Sequence, residues 1–107
     1  MFYTYNQNNS GGTFVHSKSK NIAHYVIVEA ESKEDADNRA EDIGLYFDGC
    51  ANGQDCSCCG DRWSRAWEEG TETPEVFGKH PNDHEDSWFK KGDSVAVHYK
   101  DGQIEWY

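Results

Sequence analysis

The chain has 107 residues, 20 of them acidic and 10 basic, for a formal net charge of −10. That length fits a single domain of roughly 100–150 residues, and the charge excludes nonspecific binding to nucleic acid or to an anionic membrane, since both would repel it. Mean hydropathy is −0.97, and no apolar run approaches the ~20 residues a membrane helix needs. Leu, Ile, Val and Phe together number only 16, but 15 aromatics, including 4 Trp and 6 Tyr, compensate. Each aromatic can bury roughly 150–250 Å², so a small aromatic core is expected, and a staple would help it.

In chain order, Phe2–Tyr5 alternates aromatic and polar and predicts a short strand. Asn6, Gln7, Asn8, Asn9, Ser10, Gly11 and Gly12 form a loop by composition. Thr13–His16 predicts a second strand, completing a hairpin with the first, and Ser17–Asn21 is a polar connector. His24–Ala30 is β-branched and aromatic and predicts a central strand. Ser32 stands three residues before Asp35, a capping-box-like start. Ala36, Ala40 and Ile43 follow on one helical face, and Gly44 is a natural stop.

Leu45–Phe47 reads as a short strand or as re-entry into the core. Asp48–Gly60, rich in Cys and Gly, is a loop. Arg62–Glu69 predicts a helical turn with Trp63 and Trp67 on one face. Gly70–Asp86 is acidic and irregular. Ser94–Tyr99 and Gln103–Tyr107 alternate around Lys100-Asp101-Gly102, a strong hairpin signal. The expected fold class is α+β: one domain over residues 1–107, a small and mostly antiparallel sheet with one packed helix and a Cys-rich loop.

All 4 Cys lie between Cys50 and Cys59. Cys56 and Cys59 followed by Gly60 match a zinc knuckle, in which two thiolates at this spacing reach one tetrahedral ion. A structural zinc takes four ligands, and Cys58, Cys50, His80 and His84 are the further candidates. Reduced thiols, or disulfides, are the alternatives. A redox role fits poorly, because Asp55 beside Cys56 would raise its thiol pKa.

Two other blocks read in two ways each. The Asn6–Gly12 block can present amides and backbone N–H groups to an anionic or purine-like ligand, or simply supply turn-forming residues. Arg62 could clamp a phosphate or carboxylate while Trp63 offers a stacking face; otherwise they are a surface Asp–Arg pair beside a core Trp. The acidic runs Glu29–Asp42 and Glu68–Asp86 carry local net charges of −5 and −6. They read as solvated surface, or as an imitation of nucleic-acid phosphates aimed at a basic protein. No catalytic order or motif stands out, so no enzyme activity is expected.

The Tyr3–Gly12 block, the Tyr25–Ala30 strand and the run from Asp48-Gly49 through Cys56-Ser57-Cys58-Cys59-Gly60-Asp61-Arg62-Trp63 resemble a group of small tailed-bacteriophage proteins. The resemblance covers residues 2–63 and, more loosely, the C-terminal hairpin. It implies a non-enzymatic accessory protein of the host cell cytoplasm, and it associates position 50 with a residue other than Cys. Two partners fit that setting. One is a small anionic nucleotide-type ligand, such as a host immune signal, held by the Asn6–Gly12 loop with Arg62 and Trp63. The other is a host protein bound through the acidic face. A zinc-stabilised structural domain is a third reading, and homo-oligomerisation is left open.

Overall fold

A computed structural model describes residues 1–8, 14–55, 60–66, 70–83 and 92–107. Four strands form one sheet in the order β1-β2-β3-β4: β1 Phe2–Asn6, β2 Tyr25–Glu29, β3 Val95–His98 and β4 Ile104–Trp106. The β1–β2 pair is antiparallel, with Phe2 opposite Glu29 and Asn6 opposite Tyr25. β2 and β3 run parallel, with Tyr25 opposite Val95. β3 and β4 are the expected antiparallel hairpin. The expected α+β class is therefore what the chain adopts. Tyr25–Val28 is buried throughout, which is why it reads as an unbroken apolar run rather than an alternating one.

The expected hairpin between Phe2–Tyr5 and Thr13–His16 does not form. Residues 14–16 are not in a strand, Thr13 lies outside the described residues, and β1 pairs with β2 instead. A side chain accounts for the difference. The Gln7 amide accepts from the Val15 N–H and donates to the Val15 carbonyl, giving Val15 the two bonds a strand neighbour would have supplied. At the start of β1, Phe2 exchanges both backbone bonds with Thr71, at 2.7 and 2.9 Å.

Helix α1, Lys33–Ile43, has the predicted bounds and caps. Ser32 Oγ accepts from the Asp35 N–H at 3.1 Å. Asp35 in turn accepts from Glu31 N–H at 3.2 Å, a capping box displaced by one residue. Gly44, at φ +125°, returns its N–H to Ala40 and Glu41. The buried Ala36 and Ala40 let the helix lie close on the sheet.

The sheet is covered on both faces. On one side Tyr3, Tyr5, Val26 and Val28 pack with Ala36, Ala40, Leu45, Phe47 and Trp63. On the other, Phe2, Tyr25, Ile27, Val95 and Val97 pack under Val76. Leu45 and Phe47 re-enter the core without forming a strand. Residues 62–66 form no helical turn, because the Ala66 N–H is given to Asp37 of α1 at 2.9 Å rather than to a preceding carbonyl. Trp67–Glu69, the rest of that expected turn, lie outside the described residues. Among the described residues no helix is long and apolar enough to cross a membrane.

Candidate functional site

The two blocks singled out by sequence do meet. Asn8 donates its N–H to the Arg62 carbonyl at 2.8 Å and its side-chain amide to the Asp61 carbonyl at 3.3 Å. Gln7 is 4% exposed. Its amide NH₂ serves the carbonyls of Val15 and Ala23, while its oxygen accepts from Arg62 Nη1 at 3.0 Å. Arg62 Nε donates to the Tyr46 hydroxyl at 3.1 Å and lies 3.9 Å from the Asp55 carboxylate. Asp55 also accepts from the Tyr46 hydroxyl at 2.9 Å and the Arg62 N–H at 2.8 Å. Burial, and then the bond to Asp55, raise the Tyr46 pKa. Gly49 makes room for this knot, since a Cβ there would sit 1.9 Å from an Asp55 oxygen.

This geometry places both residues of the expected clamp and stack inside the fold. Arg62 is 9% exposed and its guanidinium holds Gln7, Tyr46 and Asp55. Trp63 is 2% exposed and part of the core, so its ring offers no stacking face. Gln7 and Asn8 tie the N-terminal loop to the residues that follow the Cys block. Asn6 is exposed, and Asn9, Ser10, Gly11 and Gly12 lie outside the described residues.

The zinc expectation falls mainly outside them too: Cys56, Cys58, Cys59 and His84 are not described. Cys50 is half-buried and gives its N–H to Asp61 at 2.9 Å. His80 Nδ1 accepts from the Asn82 N–H at 3.1 Å, and its ring meets Tyr107 edge-on. Among the described residues no group of three or more His, Cys, Asp and Glu is placed to hold a metal ion.

Sequence reasoning passed over a surface at the start of β2. Phe14 stacks on His24 at 4.3 Å, His24 on Tyr25 at 4.5 Å, and Tyr25 meets Phe77 edge-on at 5.8 Å. Burial lowers the His24 pKa, favouring the neutral ring. Phe14 is 48% exposed and Phe77 66%. Val76 and Lys79 exchange both backbone bonds, and between them Phe77 and Gly78 have φ of +52° and +79°. Those signs match a type I′ turn, whose first central position favours Asn, Asp or Gly. Gly78 was the available signal; a phenylalanine before it gives none.

The chain matches, over residues 1–107, the family model described as Domain of unknown function (DUF7296). The chain belongs to that family. No curated protein and no solved structure matches it, so for this DUF7296 chain the geometry carries the functional argument.

His98 of β3 adds a pH dependence. It is 6% exposed, and because a carbonyl can only accept, its Nε2 is the donor in the 2.7 Å bond to Asn21 O. Burial lowers its pKa against the pull of that bond, with Arg39 also lowering it. An unfolded histidine takes up a proton near pH ~6.5, whereas the folded ring takes it up only at lower pH. The stabilisation is therefore complete above that point and is lost as pH falls through the lowered folded value. Urea unfolding should show the midpoint dropping between about pH 7 and 5.5. His98→Gln, which keeps a donor for Asn21, should flatten that drop; an unchanged slope would remove His98 as its source.

Proposed function

We propose that this chain is a non-enzymatic binding protein that docks a basic partner protein through the exposed rings of Phe14 and Phe77, which His24 and the buried Tyr25 support from beneath. Phe77 carries the reading. A left-handed backbone costs a non-glycine residue about 1–2 kcal/mol, and a bulky aromatic is an outlier there. The ring is nonetheless 66% exposed, which leaves most of its apolar area open to a partner. Strain of this kind collects where a surface has work to do, and an exposed aromatic can act as the anchor of an interface.

The net charge of −10 gives the partner its sign: complementary fields speed encounter and select against acidic competitors. Exposed Glu72 and half-buried Glu75 lie in the same segment as Phe77. The resemblance to tailed-bacteriophage proteins supports a setting in the host cytoplasm, with a host defence or nucleic-acid-binding protein as partner. The nucleotide-sequestration reading is less well supported, since Gln7, Arg62 and Trp63 are buried in the fold and the Asn8 amide is bonded to the Asp61 carbonyl. A zinc ion held by Cys56, Cys58 and Cys59 with His80 or His84 belongs to the same proposal, as a staple.

The test is affinity capture from host extract, with identification by mass spectrometry and native mass spectrometry of the bait. The bait should carry one zinc per chain and retain a basic protein. Phe77→Ser should weaken capture about 30-fold, the effect of losing an interface hot spot, and added salt should weaken it further. Phe77→Gly should lose capture equally while the melting temperature holds or rises, because glycine relieves the backbone. Capture indifferent to both substitutions would refute the docking surface. Calorimetric binding of a cyclic dinucleotide, with no protein captured, would favour sequestration instead.

A further inference from the structure

Away from that surface, α1 and the β3–β4 hairpin enclose a groove of about 240 Å³, lined by Arg39, Asp42, Ile43, His98, Gly102 and Ile104, with Tyr99 beside them. Drug-sized ligands occupy roughly 300–1,000 Å³. This space equals the liquid volume of only about eight waters, too little for a nucleotide and enough for a small metabolite.

The groove's polar groups are incompletely used. Arg39 gives Nη2 to the Tyr99 carbonyl at 3.0 Å, but its Nε is buried with no hydrogen-bond partner among the described residues. A buried charged donor left unpaired is costly, and native folds rarely keep one without reason. Asp42, three positions further along α1, is exposed and makes neither a hydrogen bond nor an ion pair among the described residues. The two opposite charges thus share a wall without neutralising each other. Ile43 and Ile104 supply apolar surface between the helix and the hairpin.

We propose that this groove binds a small zwitterion, an α-amino acid with an apolar side chain. Its carboxylate pairs with the Arg39 guanidinium, the side chain turning to bring the sealed Nε–H and an Nη N–H to the ligand as a two-point fork. Its ammonium faces Asp42, and its side chain lies on Ile43 and Ile104. A molecule bearing both charges is favoured over a simple anion because Asp42 would repel an anion with nothing to offer it.

NMR titration of the ¹⁵N-labelled protein with three probes tests this: L-leucine, 4-methylpentanoate, which lacks the amine, and 3-methylbutylamine, which lacks the carboxylate. L-Leucine should give saturable shifts at the Gly102, Arg39 and Ile104 amides. Each single-charge probe should bind about tenfold or more weakly, the loss expected for one charge-assisted contact. Arg39→Gln should weaken L-leucine to the level of the amine. Asp42→Asn, an exposed change that leaves the core intact, should weaken it to the level of 4-methylpentanoate. Absence of saturable shifts with L-leucine would overturn the proposal, as would 4-methylpentanoate binding as tightly as L-leucine or Asp42→Asn leaving L-leucine affinity unchanged.

Discussion

Replacing Arg62 by Ala should lower the stability by about 3–5 kcal/mol, the cost of removing one partner from a buried ion pair. The side chains of Arg62 and Asp55 are 10% and 1% exposed, so water cannot take over the lost contact. Asp55 would keep the Tyr46 hydroxyl and the Arg62 N–H, but no cation. Gln7 and Tyr46 would each lose a charged donor. In a domain of this size the melting temperature should fall by at least about 10 °C. Arg62→Met combined with Asp55→Asn removes both charges together, and it should recover most of the loss, since a buried pair replaced as a whole is often nearly neutral. Thermal melts of the three variants decide the matter. An Arg62→Ala protein as stable as the parent would mean the guanidinium is not a structural tie, and the ligand-clamp role would return.

Asp37→Ala should cost roughly 2–5 kcal/mol, because it orphans two buried donors at once. Asp37 Oδ1 accepts from the Tyr5 hydroxyl at 2.8 Å and from the Ala66 N–H at 2.9 Å. Tyr5 is 1% exposed and Asp37 8%, while Lys33 reaches the other carboxylate oxygen only at 3.5 Å from a partly exposed position. Burial, and then the bond to Asp37, push the Tyr5 hydroxyl far above its ordinary pKa, so it stays a donor at every working pH. Asp37→Asn keeps an oxygen for both donors and should cost only about 1 kcal/mol. Urea midpoints at constant m-value give the comparison. Equal losses in the two variants would assign the effect to charge rather than to hydrogen bonding.

The parts of the fold that announce themselves do so through local chemistry. Ser32, the Ala36–Ala40 spacing and Gly44 specify α1 within a dozen residues, and Asp101-Gly102 specifies the hairpin in the same way. The partner of β1 is not local information: alternating Phe2–Tyr5 would suit any neighbour, and the bonds Val15 needs come from the side chain of Gln7. The candidate site was half legible for the same reason. The Asn6–Gly12 block and Arg62 were recognisable as special. The partner of Arg62, however, is Asp55 rather than adjacent Asp61, a pairing set by how the loop folds back and not by any period. Trp63 reads from sequence either as a stacking face or as a core residue, and its ring lies in the core. Phe77 was missed because turn chemistry predicts Asn or Gly at its position, and a residue that violates the local rule carries no local signal.

The parallel seam between β2 and β3 has a kinetic consequence. Tyr25 lies opposite Val95, 70 positions along the chain. The β3–β4 hairpin and the capped helix can each organise within a few residues, on the microsecond scale of local events. The seam must wait for the long acidic crossover to close, an entropic cost met before its contacts return anything. High contact order of this kind slows folding toward the millisecond-to-second range. During that interval β2, the most apolar strand, has β1 on one side and an open edge on the other. The excess of negative charge around it then serves a second purpose, keeping half-folded copies apart until β3 arrives.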